Sequence, residues 1–200
     1  MKKLFAFLSI YILGISNVFA EEEFTCEIIS PNLQAMGEDR YYDFDTKPEI
    51  TREIEKNLIA FHKAAEGKWS GTITEIECKG AGSNLRQEID EGTVEVEISS
   101  VGKVLFNIYT KKRFENRRIK TSRNDTYELF HDDHVFELII AKNTISASEK
   151  YRRKNEQGFT NLFEIISSLA FNDNQLEVVI TYYVNTVSVH QDKMILKKDR

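Results

Sequence analysis

The 200-residue chain has little proline, cysteine or tryptophan: two prolines, two cysteines and one tryptophan. With prolines only at Pro31 and Pro48, and with no internal repeat or low-complexity stretch, nothing in the sequence indicates a linker between domains. The sequence also lacks the Gly-x-Ser-x-Gly elbow, the glycine-rich phosphate loop and the His-Glu-x-x-His zinc helix. These absences argue against the best-known hydrolases, nucleotide-binding enzymes and zinc proteases, so an enzyme is the least favoured class and no cofactor is predicted.

A hydrophobic run long enough to cross a membrane is also missing. The apolar stretch 4–15 follows Lys2 and Lys3 and precedes Val18-Phe19-Ala20, and it is much shorter than the ~20 residues that a spanning helix needs. A basic start, a short apolar run and small residues before a cleavage point are typical of a signal peptide, predicted here over residues 1–20. We therefore expect an exported, periplasmic or secreted protein, with no transmembrane segment after cleavage.

The formal net charge of −5 includes both lysines of the predicted signal peptide. The exported chain is thus still more acidic, and both this charge and its compartment argue against nucleic acid as a partner. Residues 21–47 form an acidic extension, but their large apolar side chains predict an ordered segment that packs on the main domain, 48–200. One hypothesis is that this extension lies across a basic hairpin described below.

The cysteine pair is informative because of the predicted export. Cys26 and Cys78 are an even number of cysteines in an oxidising compartment, which favours a disulfide over two buried free thiols. A loop of this size corresponds to an upper figure of about 4 kcal/mol in the chain-entropy model.

One helical pattern precedes a long series of strands. Apolar residues recur at helical spacing between Pro48, expected at the first helical position, and Gly67, expected to end the helix; they are Ile50, Ile54, Leu58, Phe61 and Ala65. Beyond Gly67, alternating apolar and polar residues predict short, closely spaced strands, with a bulge or bend near Gly71. Strands without room for crossover helices indicate an antiparallel meander.

The predicted fold is therefore mainly β, an antiparallel up-and-down β-barrel with one N-terminal helix, because nine or ten strands would curl or close. The alternative is a two-sheet β-sandwich. Turns are expected at residues 123–125, 131–134, 154–158 and 172–174.

The junction of helix and first strand, Gly67-Lys68-Trp69, resembles the calycin superfamily, the lipocalin-like small β-barrels, over roughly residues 48–198. The resemblance implies a tryptophan packed across the closed end of a barrel, often beneath a basic residue of the last strand, for which Lys197, Lys198 and Arg200 are candidates. It also implies an interior cavity for a small apolar ligand.

Two sets of residues are candidates for binding. The inward positions of the predicted strands would line a ligand cavity; they are Trp69, Phe106, Ile108, Phe136, Leu138, Val178, Ile180 and Tyr182. A run of cations would form an anion or partner patch on a projecting hairpin; it comprises Lys111, Lys112, Arg113, Arg117, Arg118, Lys120 and Arg123. The alternative, purely structural interpretations are core packing for the first set and solvated surface for the second.

A candidate metal site is His131-Asp132-Asp133-His134, because imidazoles and carboxylates are suitable metal ligands. Adjacent side chains in a turn point in different directions, so no metal is predicted. The favoured function is non-catalytic binding of a small apolar or amphipathic molecule inside the barrel. The alternative is an interaction module with a filled interior, docking on a partner protein or an anionic envelope surface through the basic hairpin 111–123.

Overall fold

The structure is a computed structural model that describes residues 24–45, 47–101, 105–115, 120–129, 135–141, 143–172 and 174–199. The predicted signal peptide and the residues 131–134 lie outside the described residues. Within the described residues there are three helices and nine strands. The helices are α1 (Pro31–Met36), α2 (Glu38–Tyr41) and α3 (Arg52–Ala65). The nine strands are β1 (Gly67–Lys79), β2 (Arg86–Val101), β3 (Leu105–Glu115), β4 (Lys120–Leu129), β5 (Val135–Ala141), β6 (Thr144–Lys154), β7 (Thr160–Asn172), β8 (Gln175–Val184) and β9 (Val187–Lys198), with a short 3-10 helix at Gly82–Asn84.

The strands form one antiparallel sheet in the order β4-β3-β2-β1-β9-β8-β7-β6-β5. Each strand pairs with its neighbour in sequence except β4 and β5, and the first strand pairs with the last. The predicted antiparallel meander is confirmed, and it is a single sheet instead of the two sheets of a sandwich. Among the described residues the sheet is not closed into a barrel, because β4 and β5 are its two edges.

Helix α3 occupies the predicted stretch with corrected ends. Its N-cap is Thr51, whose hydroxyl accepts a hydrogen bond from the Ile54 amide, so the prediction that Pro48 opens the helix is wrong. A side-chain oxygen at this position satisfies an amide that has no partner within the helix, which proline cannot do. Gly67 follows the helix with a φ of 126°, a region open to glycine, and starts β1.

The predicted bulge near Gly71 is also wrong. β1 keeps an unbroken register with β2 and with β9, and Gly71 lies opposite Val94 and Leu196. A Cβ at Gly71 would lie 1.9 Å from the Ile195 carbonyl oxygen. Glycine is therefore required by the close approach of the β9 backbone.

The apolar core lies against α3 and the adjoining half of the sheet. Leu58 and Phe61 of α3 pack with Trp69, and the Trp69 indole donates a hydrogen bond of 2.8 Å to the Ala65 carbonyl. The ammonium of Lys198 stands 5.3 Å above the indole ring, the cation–π arrangement expected of a basic residue on the last strand.

The acidic extension is ordered over the described residues 24–45 and carries α1 and α2. The predicted disulfide Cys26–Cys78 is present, with an S–S distance of 2.09 Å, and attaches the extension to β1. From there the chain makes an isolated bridge between Ile29 and Val187 and continues across the outer face of β6 and β7.

Contacts with β6 and β7 hold the extension in place. The Glu164 carboxylate accepts hydrogen bonds from the Asn32 amide (2.8 Å) and the Tyr41 hydroxyl (2.6 Å), while Lys150 donates to the backbone carbonyls of Tyr41 and Asp43. The hypothesis that the extension covers the basic hairpin 111–123 is therefore wrong. The cations that contact the extension are instead Lys150 and Arg152 of β6, which both stand over the Phe44 ring.

The predicted turn at residues 123–125 is wrong as well, because β4 runs through it from Lys120 to Leu129 in register with β3. Arg123 and Asp125 thus occupy strand positions whose side chains share one face of the sheet. Within the described ranges, no helix is both long and apolar enough to pass through a membrane.

Candidate functional site

Charged side chains gather on the inner face of the sheet, away from α3. Glu75 of β1 lies directly opposite Asp192 of β9, and Lys112 of β3 lies directly opposite Arg123 of β4. Glu75 is six positions beyond Trp69, which at a rise of about 3.3 Å per residue is about 20 Å further along β1. We call Glu75, Lys112, Arg123, Asp125, Tyr127, His190 and Asp192 the inner charge cluster.

Lys112 is the centre of the inner charge cluster. Its ammonium lies 3.1 Å from Asp125 Oδ2, 3.1 Å from Asp192 Oδ2 and 3.5 Å from Glu75 Oε1, and its side chain is 0% exposed. The Tyr127 ring lies 5.1 Å from the same ammonium. Each carboxylate alone would repel its neighbours, so the buried cation is what allows them to converge.

Arg123 and His190 surround the same carboxylates closer to solvent. The Arg123 guanidinium contacts Glu75 Oε1 and lies 2.8 Å from Asp125 Oδ2. His190 Nε2 lies 3.4 Å from Asp192 Oδ1 and 3.6 Å from Glu75 Oε1. The side chains of Arg123, Asp125 and His190 are 51%, 28% and 23% exposed, so this side of the cluster is accessible to solvent.

The environment keeps the carboxylates of Asp192 and Asp125 ionised. Burial raises the pKa of Asp192, but the contact with His190, the charge of Lys112 and the 2.5 Å hydrogen bond from the Tyr127 hydroxyl outweigh it and lower the pKa to about 2. Burial likewise opposes ionisation of Asp125, yet Arg123 and Lys112 lower its pKa below the usual value. Burial and the Asp192 carboxylate raise the pKa of Tyr127, so its phenol stays protonated and donates.

The formal charges of the cluster do not cancel. Glu75, Asp125 and Asp192 contribute three negative charges, against two positive charges from Lys112 and Arg123. Leaving His190 aside, the cluster therefore carries one excess negative charge. A polar group or cation that enters from the solvent side would find uncompensated carboxylate oxygen there.

The residues predicted to line a ligand cavity lie mainly in the packed core. Trp69, Ile108, Val178 and Ile180 are at most 3% exposed and belong to one apolar cluster with α3. Leu138 and Tyr182 are partly buried and pack against that cluster. Phe106 and Phe136 lie on β3 and β5, and their side chains lie outside the described residues.

The predicted basic patch is divided by the strand alternation. Lys111 and Arg113 are exposed on the outer face, where both face Glu95 at 4.0 and 2.8 Å. Lys112 is not available to a surface patch, because it occupies the inward position between them. Arg123 also points inward and contacts Asp125. Arg117 and Arg118 lie outside the described residues, as does the side chain of Lys120.

The outer face carries a groove of about 360 Å³ over β1 to β4. Its walls include Lys68, Glu95, Tyr109, Lys111 and Thr126, which occupy the outward positions of these strands. This groove differs in place and lining from the apolar interior cavity that the family resemblance implies.

Sequence reasoning missed Glu75, His190 and Asp192 as site residues. Acidic residues in strands usually belong to the wet face, as Glu95 and Glu97 do. The available signal was parity: Glu75 is two positions from Ile73 and Asp192 two positions from Met194, and both apolar partners are buried. An inward carboxylate on each of two paired strands requires a buried cation.

No protein-family model and no curated protein matches this chain.

Proposed function

We propose that the protein is an exported, non-catalytic binding protein with a calycin-like barrel, which takes a small amphipathic molecule at the inner charge cluster. The observation that carries this proposal is the division of the sheet interior. Apolar side chains and α3 fill one part, whereas the other part holds charged and polar groups that reach solvent at Arg123, Asp125 and His190. Small-molecule sites combine an apolar wall with a few convergent polar groups in this way.

The polar group of the ligand would meet the solvent-facing side of the cluster. Arg123 offers guanidinium donors and is half exposed, and Asp125 offers a carboxylate acceptor. Arg123 is held by Glu75 of β1 and Asp125 by Lys112 of β3. Because both groups are already charged and fixed by these contacts, they would not have to be reorganised for binding.

The apolar part of the ligand would lie against the partly buried side chains next to the core. Leu138, Ile140, Ile165 and Tyr182 pack on the core without being fully covered. Fully buried residues such as Ile108 would have to move to admit a ligand, which is costly in a close-packed interior. The ligand is thus expected at the margin of the core.

Closure of the sheet into a barrel is part of the proposal. Strands β1 and β9 already pair, so contact between β4 and β5 would complete a ring. The cation–π contact of Lys198 with Trp69 and the helix that precedes Gly67 support the calycin resemblance. Amide hydrogen exchange tests closure: β4 and β5 should exchange as slowly as β1 if the ring closes, whereas two fast-exchanging edges would contradict it.

Export is supported by the Cys26–Cys78 disulfide, because such bonds persist mainly in oxidising compartments. Processing of the full chain in a bacterial host tests this part. A mature N-terminus at Glu21 in the periplasmic fraction is expected, and an unprocessed cytoplasmic chain would contradict it.

Ligand binding is tested by calorimetric titration with decanoate, decylamine and a lysophospholipid, with native mass spectrometry of the purified protein to detect a retained molecule. Arg123→Gln should weaken binding about 10- to 100-fold, the effect of losing a hydrogen bond to a charged group. Arg113→Gln is the matched control, because Arg113 is similarly exposed but faces Glu95 on the outer surface. Absence of binding to all three probes, or equal loss in both variants, would overturn the proposal.

Docking through the basic hairpin is the second candidate. Lys111 and Arg113 remain exposed for it, but both already face Glu95. A Lys111→Gln, Arg113→Gln double variant that no longer binds anionic vesicles would favour this alternative. Unchanged vesicle binding would remove it.

A further inference from the structure

We infer that Glu75, His190 and Asp192 form a binding site for a divalent transition-metal ion, for which Zn²⁺ is the suitable probe. One ligand atom from each of the three residues lies within 4.8 Å of the others. Imidazole nitrogen and carboxylate oxygen are ordinary zinc ligands. The inference does not depend on the amphipathic ligand proposed above, because it uses Glu75, His190 and Asp192, whereas the polar group of that ligand is placed at Arg123 and Asp125.

The distances fit a tetrahedral ion. Zinc–nitrogen and zinc–oxygen bonds of about 2.0–2.2 Å place neighbouring ligand atoms of a tetrahedron about 3.3–3.6 Å apart. His190 Nε2 lies 3.4 Å from Asp192 Oδ1 and 3.6 Å from Glu75 Oε1. Two edges of the expected tetrahedron are thus already formed, and the third, between the ligand atoms of Glu75 and Asp192, is no longer than 4.8 Å.

An independent observation singles out Asp192. Its side chain is 1% exposed, and its Oδ1 atom lies 3.4 Å from His190 Nε2 but accepts no well-formed hydrogen bond from the residues that the structure describes. The other oxygen, Oδ2, is used by Lys112 and by the Tyr127 hydroxyl. A buried carboxylate oxygen left over in this way is costly, and it points to the place where His190 Nε2 offers a further ligand.

Lys112 and Arg123 also contact one of the three proposed metal ligands. Both cations contact Glu75 Oε1, so they compete with the ion for that atom. The ion would therefore be held mainly by His190 and Asp192 Oδ1, with Glu75 as the third ligand and solvent at the open position. The cluster has one excess negative charge, and a divalent ion on a neutral imidazole supplies a positive charge there without removing Lys112.

The test is equilibrium dialysis of untagged protein with Zn²⁺, together with visible spectroscopy of the Co²⁺ form, which reports tetrahedral coordination. One ion per chain is expected, and His190→Gln should weaken its binding at least about tenfold, since loss of an outer-shell partner alone costs that much. His62→Gln is the control, because His62 is a buried histidine on α3 outside the cluster. Asp192→Asn is the second variant, with thermal unfolding as a check on folding.

Three results would overturn the inference: no saturable binding by folded protein, equal binding by wild type and His190→Gln, or an octahedral cobalt spectrum that His190→Gln does not change. Separate titrations of the wild-type protein with Zn²⁺ and with the amphiphiles distinguish the two proposals. Saturable zinc binding without amphiphile binding supports the metal site alone, and the reverse supports only the organic ligand.

Discussion

Removal of the Lys112 charge is the most direct test of how the inner charge cluster is held together. In Lys112→Met the apolar stem is retained and the ammonium is lost. Three carboxylate contacts at 3.1–3.5 Å disappear, each worth about 5 kcal/mol of gross attraction at an effective dielectric constant of 20. The desolvation cost of the buried charges offsets much of this attraction. The free energy of unfolding should therefore fall by about 3–5 kcal/mol, as is typical when one partner of a buried ion pair is removed.

The assay is urea unfolding, with thermal unfolding as a second measurement. For a chain of this size the loss corresponds to a fall in Tm of about 6–20 °C. Lys111→Met is the matched control: it removes the preceding charge, which is 65% exposed and 4.0 Å from Glu95, and should cost less than about 1 kcal/mol. Equal stability of the two variants would refute the claim that Lys112 holds the carboxylates together.

A double-mutant cycle adds a sharper criterion. Asp192→Asn removes one of the carboxylates that Lys112→Met leaves without its buried cation. The double variant should therefore lose less stability than the sum of the two single variants, with a coupling of about 0.5–3 kcal/mol. Strict additivity would mean that the two side chains do not interact in solution, in spite of their 3.1 Å contact.

Three further predictions concern other parts of the fold. Burial lowers the pKa of His62 from 6.5 to about 4, so between these pH values the unfolded state binds one more proton than the folded state. The free energy of unfolding should therefore fall by about 3 kcal/mol as the pH drops from 6.5 to 4. His62→Gln should lose that part of the pH dependence, as measured by urea unfolding at pH 4 and pH 7. Tyr41→Phe leaves a buried carboxylate oxygen of Glu164 on β7 without its donor, which should lower the free energy of unfolding by about 1–3 kcal/mol and make the extension susceptible to limited proteolysis. Tyr42→Phe, at an exposed position, should change neither the stability nor the proteolysis. Replacement of Cys26 and Cys78 by serine opens a loop with a separation of 52 residues and should cost up to about 4 kcal/mol in urea unfolding; unchanged stability would mean that the bond does not constrain the unfolded chain.

Local pattern was sufficient for the parts of the fold that have one clear period. The alternation of Val94, Val96 and Ile98 predicted an inward face that the structure confirms. The helical stripe predicted the buried side of α3 except for its first residue, because Ile50 precedes the helix and is exposed. The disulfide could be predicted because only two cysteines follow the predicted signal peptide. Each of these inferences needs only neighbouring residues or a count.

The candidate site could not be predicted because it depends on contacts between distant strands. Arg123 and Asp125 have turn-forming neighbours, but pairing of β4 with β3 makes them part of a strand. Lys112 seemed to belong to a cationic surface run, and only its parity between Lys111 and Arg113 distinguishes it as inward. Helices α1 and α2 were missed for a related reason: they are too short to be stable alone and depend on the contacts with β6 and β7.

The inner charge cluster is difficult to explain as a device for stability. Taking each ion out of water costs several kcal/mol, and well-packed apolar residues of similar volume are commonly as stabilising as a buried ion pair or more so. Elsewhere the inner face of the same sheet is filled by apolar residues. On β8 and β9 these fully buried residues around α3 are Leu176, Val178, Met194 and Leu196. The strands therefore change from apolar to ionised inward residues within two positions, at Met194 and Asp192, where folding alone does not require the change. A group that binds to the carboxylates from the solvent side would compensate the cost of keeping them there, which is the reason to propose that a ligand binds at this end of the sheet.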